Sequence, residues 1–336
     1  MIHFFVDDST DIEGLHEWIP DDDPTLFASG VGHNLLELHR RLWLMGRKTT
    51  VGPVIPSEAT LVVFMPRPLL AHSRRKRFSF AWSMRRHRTI AVRSDLPPGS
   101  PQMIRVDLVI APSRAFMAAF PGPKMDFLPP LPQRGLICRD RSRGDQISVV
   151  GLKSNPENIP RWIGEPAFVE RLDRLGLKIH VDAPRDVDGS DQSWHDFSEV
   201  DVVICARAEG LPTISKPATK LRNAWAAGVI PIASREPAYV EIANDGHDVL
   251  FFDNHEEIPA LLGKLCAGVE LRDQLRRGVT EMSSIQPSVD EVVDAWWKLF
   301  SENESAPSFR RSARSIAFMV WSSIRRFVGF GIGASK

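Results

Sequence analysis

At 336 residues the chain exceeds the usual size of one globular domain, so two domains, each with its own core, are the first expectation. Apolar residues make up 43% and charged residues 25%, which excludes disordered and collagen-like classes. The 42 basic residues are matched by 42 acidic ones, so the zero formal charge excludes a global attraction to nucleic acid.

The start, MIHFFVDDST, is a short apolar run ending in acids, unlike a signal peptide, and no apolar stretch is long enough to span a bilayer. Cys138, Cys205 and Cys266 are scattered, with neither zinc-site spacing nor an even-numbered disulfide framework. A reducing, cytoplasmic setting is expected, with no metal and no cofactor.

In chain order, residues 2–6, 60–65, 89–92 and 107–111 are apolar runs bounded by turn or charged residues and are expected as buried parallel strands. Between the first two, GVGHNLLELHRRLWLMG places Leu35, Leu38, Leu42 and Met45 at helical spacing, with Gly46 as a stop. Residues 73–88, SRRKRFSFAWSMRRHR, interleave basic and aromatic side chains. They suit an anionic acceptor or membrane headgroups better than nucleic acid, for which no motif accompanies them, and a charged helix face is the plain alternative.

The Pro-rich stretch 120–135 and the charged segment 139–145 mark the linker. A second series of strands is expected at 146–150, 177–181, 202–205, 229–233 and 249–252, separated by helical patterns. Strands alternating with helices imply parallel sheets covered on both faces. The expected division is an N-terminal Rossmann-like domain over 1–135, a C-terminal one over 136–300, and a tail over 301–336.

Residues 207–231, RAEGLPTISKPATKLRNAWAAGVIP, carry the densest chemistry. Ligands of open α/β sheets bind beyond the carboxyl ends of the strands, where a helix N-terminus presents free N–H groups to anions. Lys216 and Lys220 add full charges there, Pro217 suits a first helical turn, and Thr219, Lys220 and Asn223 share a helical face up to the stop at Gly228. This is an anion site by chemistry, although the spacing matches no Walker loop or dinucleotide fingerprint. The alternative is a solvated amphipathic helix with Leu221, Ala224, Trp225 and Ala227 toward the core.

The run KPATKLRNAWAAGVIPIASREPAYVEIANDGHDVLFF resembles the donor-binding half of retaining GT-B glycosyltransferases, with the similarity strongest over about 201–278. GVGHNLLELHRRLWLMG and DLVIAPS resemble, more weakly, the acceptor domain of that family. The resemblance implies an α/β GT-B fold, two Rossmann-like domains with parallel sheets facing a central cleft, and a nucleotide-sugar donor held in the C-terminal half. Its commonest members carry two Glu residues separated by seven positions, contacting donor sugar and ribose hydroxyls. Here the matching positions are Ser215 and Asn223, which puts donor identity and activity in question.

Glycosyl transfer requires the leaving diphosphate to be stabilised. Arg207, Lys216, Thr219 and Lys220, with the backbone of Gly30 and Gly32, are the expected diphosphate contacts; Glu209, Ser215 and Asn223 are expected near donor sugar or nucleoside. His33, at a helix start, and Asp95, between a strand and LPPG, are the candidate catalytic residues, with a helix-terminal His and a turn Asp as their plain alternatives. The metal-dependent reading would use an Asp-x-Asp such as Asp186 with Asp188 or Asp21 with Asp23, both in polar loops where chance matches are common.

In the tail, Phe309, Ile316, Val320, Ile324 and Phe327 fall on one helical face with arginines largely opposite. Such a helix suits an anionic membrane surface at the inner face of the membrane; packing back on the protein is the alternative. Together these features lead to transfer of a sugar from a nucleotide-diphosphate sugar to a polysaccharide, lipid-linked or cell-surface acceptor. The rivals are a nucleotide-sugar epimerase or hydrolase of the same architecture, and a noncatalytic nucleotide-sugar-binding protein.

Overall fold

The computed structural model describes residues 1–22, 31–66, 83–84, 86–92, 106–120, 124–182, 195–210 and 213–304. The chain divides into two compact units: Met1–Leu131 joined by the segment from Val289 onward, and Pro132–Ser288.

The first unit is built on β1 (Ile2–Phe5), β2 (Thr49–Gly52), β3 (Leu61–Phe64), β4 (Arg88–Val92), β5 (Leu108–Ile110) and β6 (Met125–Asp126), in the order β2-β1-β3-β4-β5-β6. Every pairing is parallel. The strands read as continuous apolar runs because both faces are covered: Leu61, Val62, Val63 and Phe64 are all buried. A π-helical turn, Gly32–Leu36, leads into α1 (Glu37–Leu44), and Ser113 caps α2 (Arg114–Ala119) by accepting from Phe116 N at 3.1 Å.

Two strands differ from the sequence expectation. β2 reads TTVG, without an apolar run, and β6 lies inside the Pro-rich stretch 120–135. Each exists because a neighbouring strand offers backbone partners: β2 pairs with β1, and Val109 N and Ala111 N donate to Lys124 O and Asp126 O beside β6.

α8 (Val289–Glu304) falls within the range 136–300 expected for the second domain, although its sequence VDEVVDAWWKLF also suits a C-terminal helix that crosses to the first. Its buried stripe, Val289, Val292, Val293, Trp296, Leu299 and Phe300, joins the core of the first unit with Leu38 and Leu42, and Phe300 meets Phe4 edge-on at 5.9 Å. Burial of that stripe decides where the helix belongs. At its end, Glu304 pairs with the Met1 amino group and accepts from Thr60.

The second unit contains β7 (Val149–Lys153), α3 (Pro166–Arg174), β8 (Lys178–Asp182), β9 (Val202–Cys205), α4 (Thr219–Ala226), β10 (Ile230–Ser234), α5 (Pro237–Val240), β11 (Leu250–Phe252), α6 (Ile258–Ala267) and α7 (Val269–Ser284). Its sheet is parallel, in the order β11-β10-β9-β7-β8. β7 begins three residues later than expected. The amides of Ser148 and Val149 are taken by the Asp201 carboxylate at 2.8 and 2.9 Å, whereas Gly151 to Lys153, which look loop-like in sequence, pair with β8. Two clusters cover the faces of this sheet, one on Val150, Ile204 and Ile232, the other on Val203, Ala233 and Phe251.

The strand order reverses between β7 and β9: the chain leaves β7 for β8 on one side, then returns to the other side through β9 and onward. At such a reversal the flanking crossovers run to opposite faces and leave a crevice at the carboxyl ends.

α7 approaches the turn before β11 closely. A Cβ on Gly278 would lie 2.1 Å from the His247 carbonyl oxygen, so backbone would have to move. Gly278→Ala is expected to destabilise the second unit by about 1–3 kcal/mol, seen as a lower denaturant midpoint.

Candidate functional site

β9 is buried along its whole length and releases the chain at Ala206 and Arg207, on one side of the reversal. β7 ends on the other side at Lys153, followed by Ser154. Across them lies α4, whose apolar face, Leu221, Ala224 and Trp225, anchors it in the core, with Trp225 Nε1 donating to Asp248 O at 2.9 Å. The helix starts at Thr219 after Ala218, a residue without a side-chain cap, so its first N–H groups are not satisfied by its own N-cap. It stops at a Schellman turn: Gly228, at φ 71°, donates to Trp225 O at 3.0 Å while Val229 N donates to Ala224 O. The expected core face and the expected helix stop are both present. Pro217 lies just before the N-cap rather than in the first turn.

This placement carries Lys220 into the reversal point. Its Nζ donates to Ser154 Oγ at 2.9 Å, beyond β7, and to Ala206 O at 2.8 Å, beyond β9. Although part of the residue reaches the surface, the ammonium is turned inward. Burial foremost, then the positive charge of Arg207, lower its pKa to about 7. Lys216 is buried and its charge acts in the same sense, while Glu236 acts in the opposite one. Burial pushes the Cys205 thiol up to about 12, so it stays protonated and is no nucleophile here.

Arg207 is 9% exposed and looks inward. Its Nε donates to Glu236 Oε2 at 2.9 Å, and one terminal nitrogen donates to Pro217 O at 3.2 Å and lies 3.4 Å from the Tyr239 hydroxyl. This differs from the diphosphate-facing place expected of it. Glu236 ends the β10 connection and starts α5, and its second oxygen accepts from Ser234 Oγ at 3.3 Å.

The remaining expected residues are distributed unevenly. Thr219 opens α4 beside Lys220, Ser215 is fully buried in a short 3-10 turn, and Asn223 lies on α4 with its amide donating to the buried Gln133. Glu209 is exposed in the turn at Gly210. In the first unit, Gly32 opens the π-helical turn, and the buried His33 contacts Glu37 at 3.4 Å. Glu37 in turn accepts from Arg41 at 2.8 Å, and Arg41 reaches Asp21 at 2.9 Å, so His33 stands at one end of a chain of polar contacts. Gly30, Asp95, Asp23, Asp186, Asp188, the basic run from 73 to 82 and the tail helix lie outside the described residues. Among the described residues no group of three His, Cys, Asp or Glu side chains is placed to hold a metal ion.

Sequence reasoning missed Ser154, Glu236, Tyr239 and Gln133. Ser154 follows a strand whose end lies later than its apolar pattern suggests; Glu236 and Tyr239 stand within the SREPAYVE run, where the resemblance assigns them no role. No local signal marks Gln133, which meets Asn223 from 90 positions away. Nor does the sequence single out Lys153, which pairs with Asp182; that carboxyl group lies 2.9 Å from His180 Nε2.

No family model matches the chain, and no curated protein matches its sequence. Solved structures do. A glycosyltransferase from Rickettsia africae is similar at a TM-score of 0.57 and 10% identity, covering 91% of this chain and 99% of that one. HepE of Anabaena, solved in complex with UDP and glucose, is similar at 0.54 and 14% identity, covering 90% and 100%. Sucrose-phosphate synthase of Thermosynechococcus elongatus is similar at 0.58 and 11% identity, covering 90% and 98%. With two parallel α/β units and these neighbours, the chain has the GT-B fold of glycosyltransferases.

Proposed function

We propose that the chain is a glycosyltransferase that binds a nucleotide-diphosphate sugar beyond the carboxyl ends of β7 and β9. The observation that carries this reading is the Lys220 ammonium, held across the strand reversal by Ser154 Oγ and Ala206 O. An ammonium carries three donors, and these two contacts use two of them. Thr219, the uncapped start of α4 and the buried Lys216 add donors and charge to the same place. The GT-B fold, and HepE among its bearers with UDP and glucose bound, support a nucleotide sugar over other anions.

In the reaction the bond between the anomeric carbon and the diphosphate oxygen breaks, a bond to the acceptor oxygen forms, and the acceptor proton passes to an oxygen of the departing diphosphate. Negative charge grows on the departing diphosphate, so an ammonium fixed against it lowers the barrier by binding the transition state more tightly than the ground state. His33 is engaged with Glu37 and so fits an orienting role better than that of a free base. A polysaccharide, lipid-linked or cell-surface acceptor is part of the proposal, motivated by the basic amphipathic sequence of residues 309–333.

A second reading, nucleotide-sugar binding without transfer, is favoured by one observation. Ser215 is sealed in the core and Asn223 is joined to Gln133, so neither position offers the carboxylate that the resemblance leads one to expect. Labelled-donor assays across a broad acceptor panel separate the two readings: saturable binding without turnover supports the second.

Nucleotide sugars screened by thermal shift are expected to include at least one uridine diphosphate sugar that stabilises the protein. Lys220→Met is expected to weaken that ligand about 10- to 100-fold, the usual size of a lost charged hydrogen bond. Unchanged affinity would remove the site from this place. The free ammonium titrates near 7, and a bound diphosphate favours its protonated form, so binding above neutrality should take up a proton. Affinity is then expected to fall by up to about tenfold per pH unit above 7, with calorimetry in buffers of different ionisation heat reporting the uptake. Sedimentation with anionic liposomes should be lost on deleting residues 305–336 if that segment carries membrane attachment.

A further inference from the structure

The buried Arg207–Glu236 pair sits behind the anion site rather than in it. Arg207 leaves the end of β9 and donates forward to Pro217 O at 3.2 Å, closing the connection that carries Ser215 and Lys216 to the start of α4. Glu236 holds the guanidinium from the β10 side at 2.9 Å and is itself held by Ser234 Oγ at 3.3 Å. The same terminal nitrogen that donates to Pro217 O also donates to the hydroxyl of the fully buried Tyr239 at 3.4 Å. The ends of β9 and β10 and the carbonyl of Pro217, two residues before α4, are thereby tied to one planar group.

We infer that Glu236 and Arg207 are positioning residues of the anion site: through Pro217 O they fix where Lys216 and Lys220 stand, and the Glu236 carboxylate balances the cations gathered there. The groups acting on the Lys220 ammonium are Arg207 and Cys205 from β9 and its end, Lys216 from the connection, and Glu236 from the end of β10. Glu236 is the one carboxylate among them. Burial foremost, and then Arg207, oppose protonation of Lys220 more strongly than Glu236 favours it, so its pKa stands at about 7 although a carboxylate is close by.

A buried ion pair seldom adds net stability, because desolvation of both ions offsets their attraction. Retaining one behind a cluster of lysines fits a role in placing and tuning those lysines. The inference depends on the proposed function only for the identity of the anion.

The test follows Lys220 without any ligand, by NMR titration of 13Cε-labelled lysine in the full chain, with the resonance assigned by Lys220→Arg. The wild-type midpoint is expected near 7. Glu236→Gln removes the balancing charge and should lower the midpoint by about one unit, while Glu236→Asp should return it toward the wild-type value. The double variant Arg207→Met with Glu236→Leu replaces the pair by apolar groups, a change that buried pairs tolerate, and should raise the midpoint by about one unit. It also keeps the inference testable if Glu236→Gln fails to fold. Midpoints unchanged in the folded variants would overturn the inference. A protein that binds no nucleotide sugar but shows these opposite shifts would sink the proposed function and leave the inference standing. Binding with unmoved midpoints would do the reverse.

Discussion

The arrangement of the second unit converges on one ammonium. Lys220 Nζ reaches a hydroxyl beyond β7 and a carbonyl beyond β9, the two strands between which the sheet reverses its order. That contact is possible only if α4 is seated in the core, if its start is set by the connection from β9, and if both strands end at the same level. The core face of α4, the Schellman turn at Gly228 and the register of β7 against β9 all serve that geometry. A buried lysine also has a chemical consequence. Desolvation opposes its charge, so an anion arriving beside it supplies what the protein withholds.

Charge around this point is layered. Lys216 and Lys220 stand where an anion is expected, while Arg207 is 9% exposed and faces the interior. An arginine with five donors in a rigid fork suits such an internal tie, since it can engage a carboxylate, a carbonyl and a hydroxyl at once. A lysine, with a flexible stem and a single charged centre, suits contact with a ligand that comes and goes. The burial and the three contacts of Arg207 set it apart from the lysines although sequence proximity groups it with them.

Much of the fold is legible in the order of the amino acids. The apolar runs at 2–6, 60–65, 202–205 and 249–252 correspond to strands, because a parallel sheet buried on both faces demands continuous β-branched and aromatic residues. The end of α4 is legible because only glycine readily takes the left-handed conformation of Gly228. Strands that lean on a neighbour are not legible. β2 and β6 have too little apolar sequence of their own, and β7 starts later than its pattern suggests because Asp201, 52 positions from Val149, takes the amides that open it. α8 looks like the last helix of the second half by order along the chain. Its stripe of valine and aromatic residues instead finds its partners in Phe4, Leu38 and Leu42.

For the site, the chemical character is readable along the chain: lysines, a hydroxyl and an amide between a buried strand and an amphipathic helix, in a run resembling a glycosyltransferase donor half. Those features are local, and short-range pattern carries them. The partners of those residues came from the folded chain alone. It brought Ser154 to Lys220 from 66 positions away, Glu236 to Arg207 from 29 and Gln133 to Asn223 from 90. Burial turned Arg207 inward and lowered the affinity of Lys220 for its proton. Such roles depend on desolvation and on charges meeting across strands, and neither quantity exists until the chain has folded.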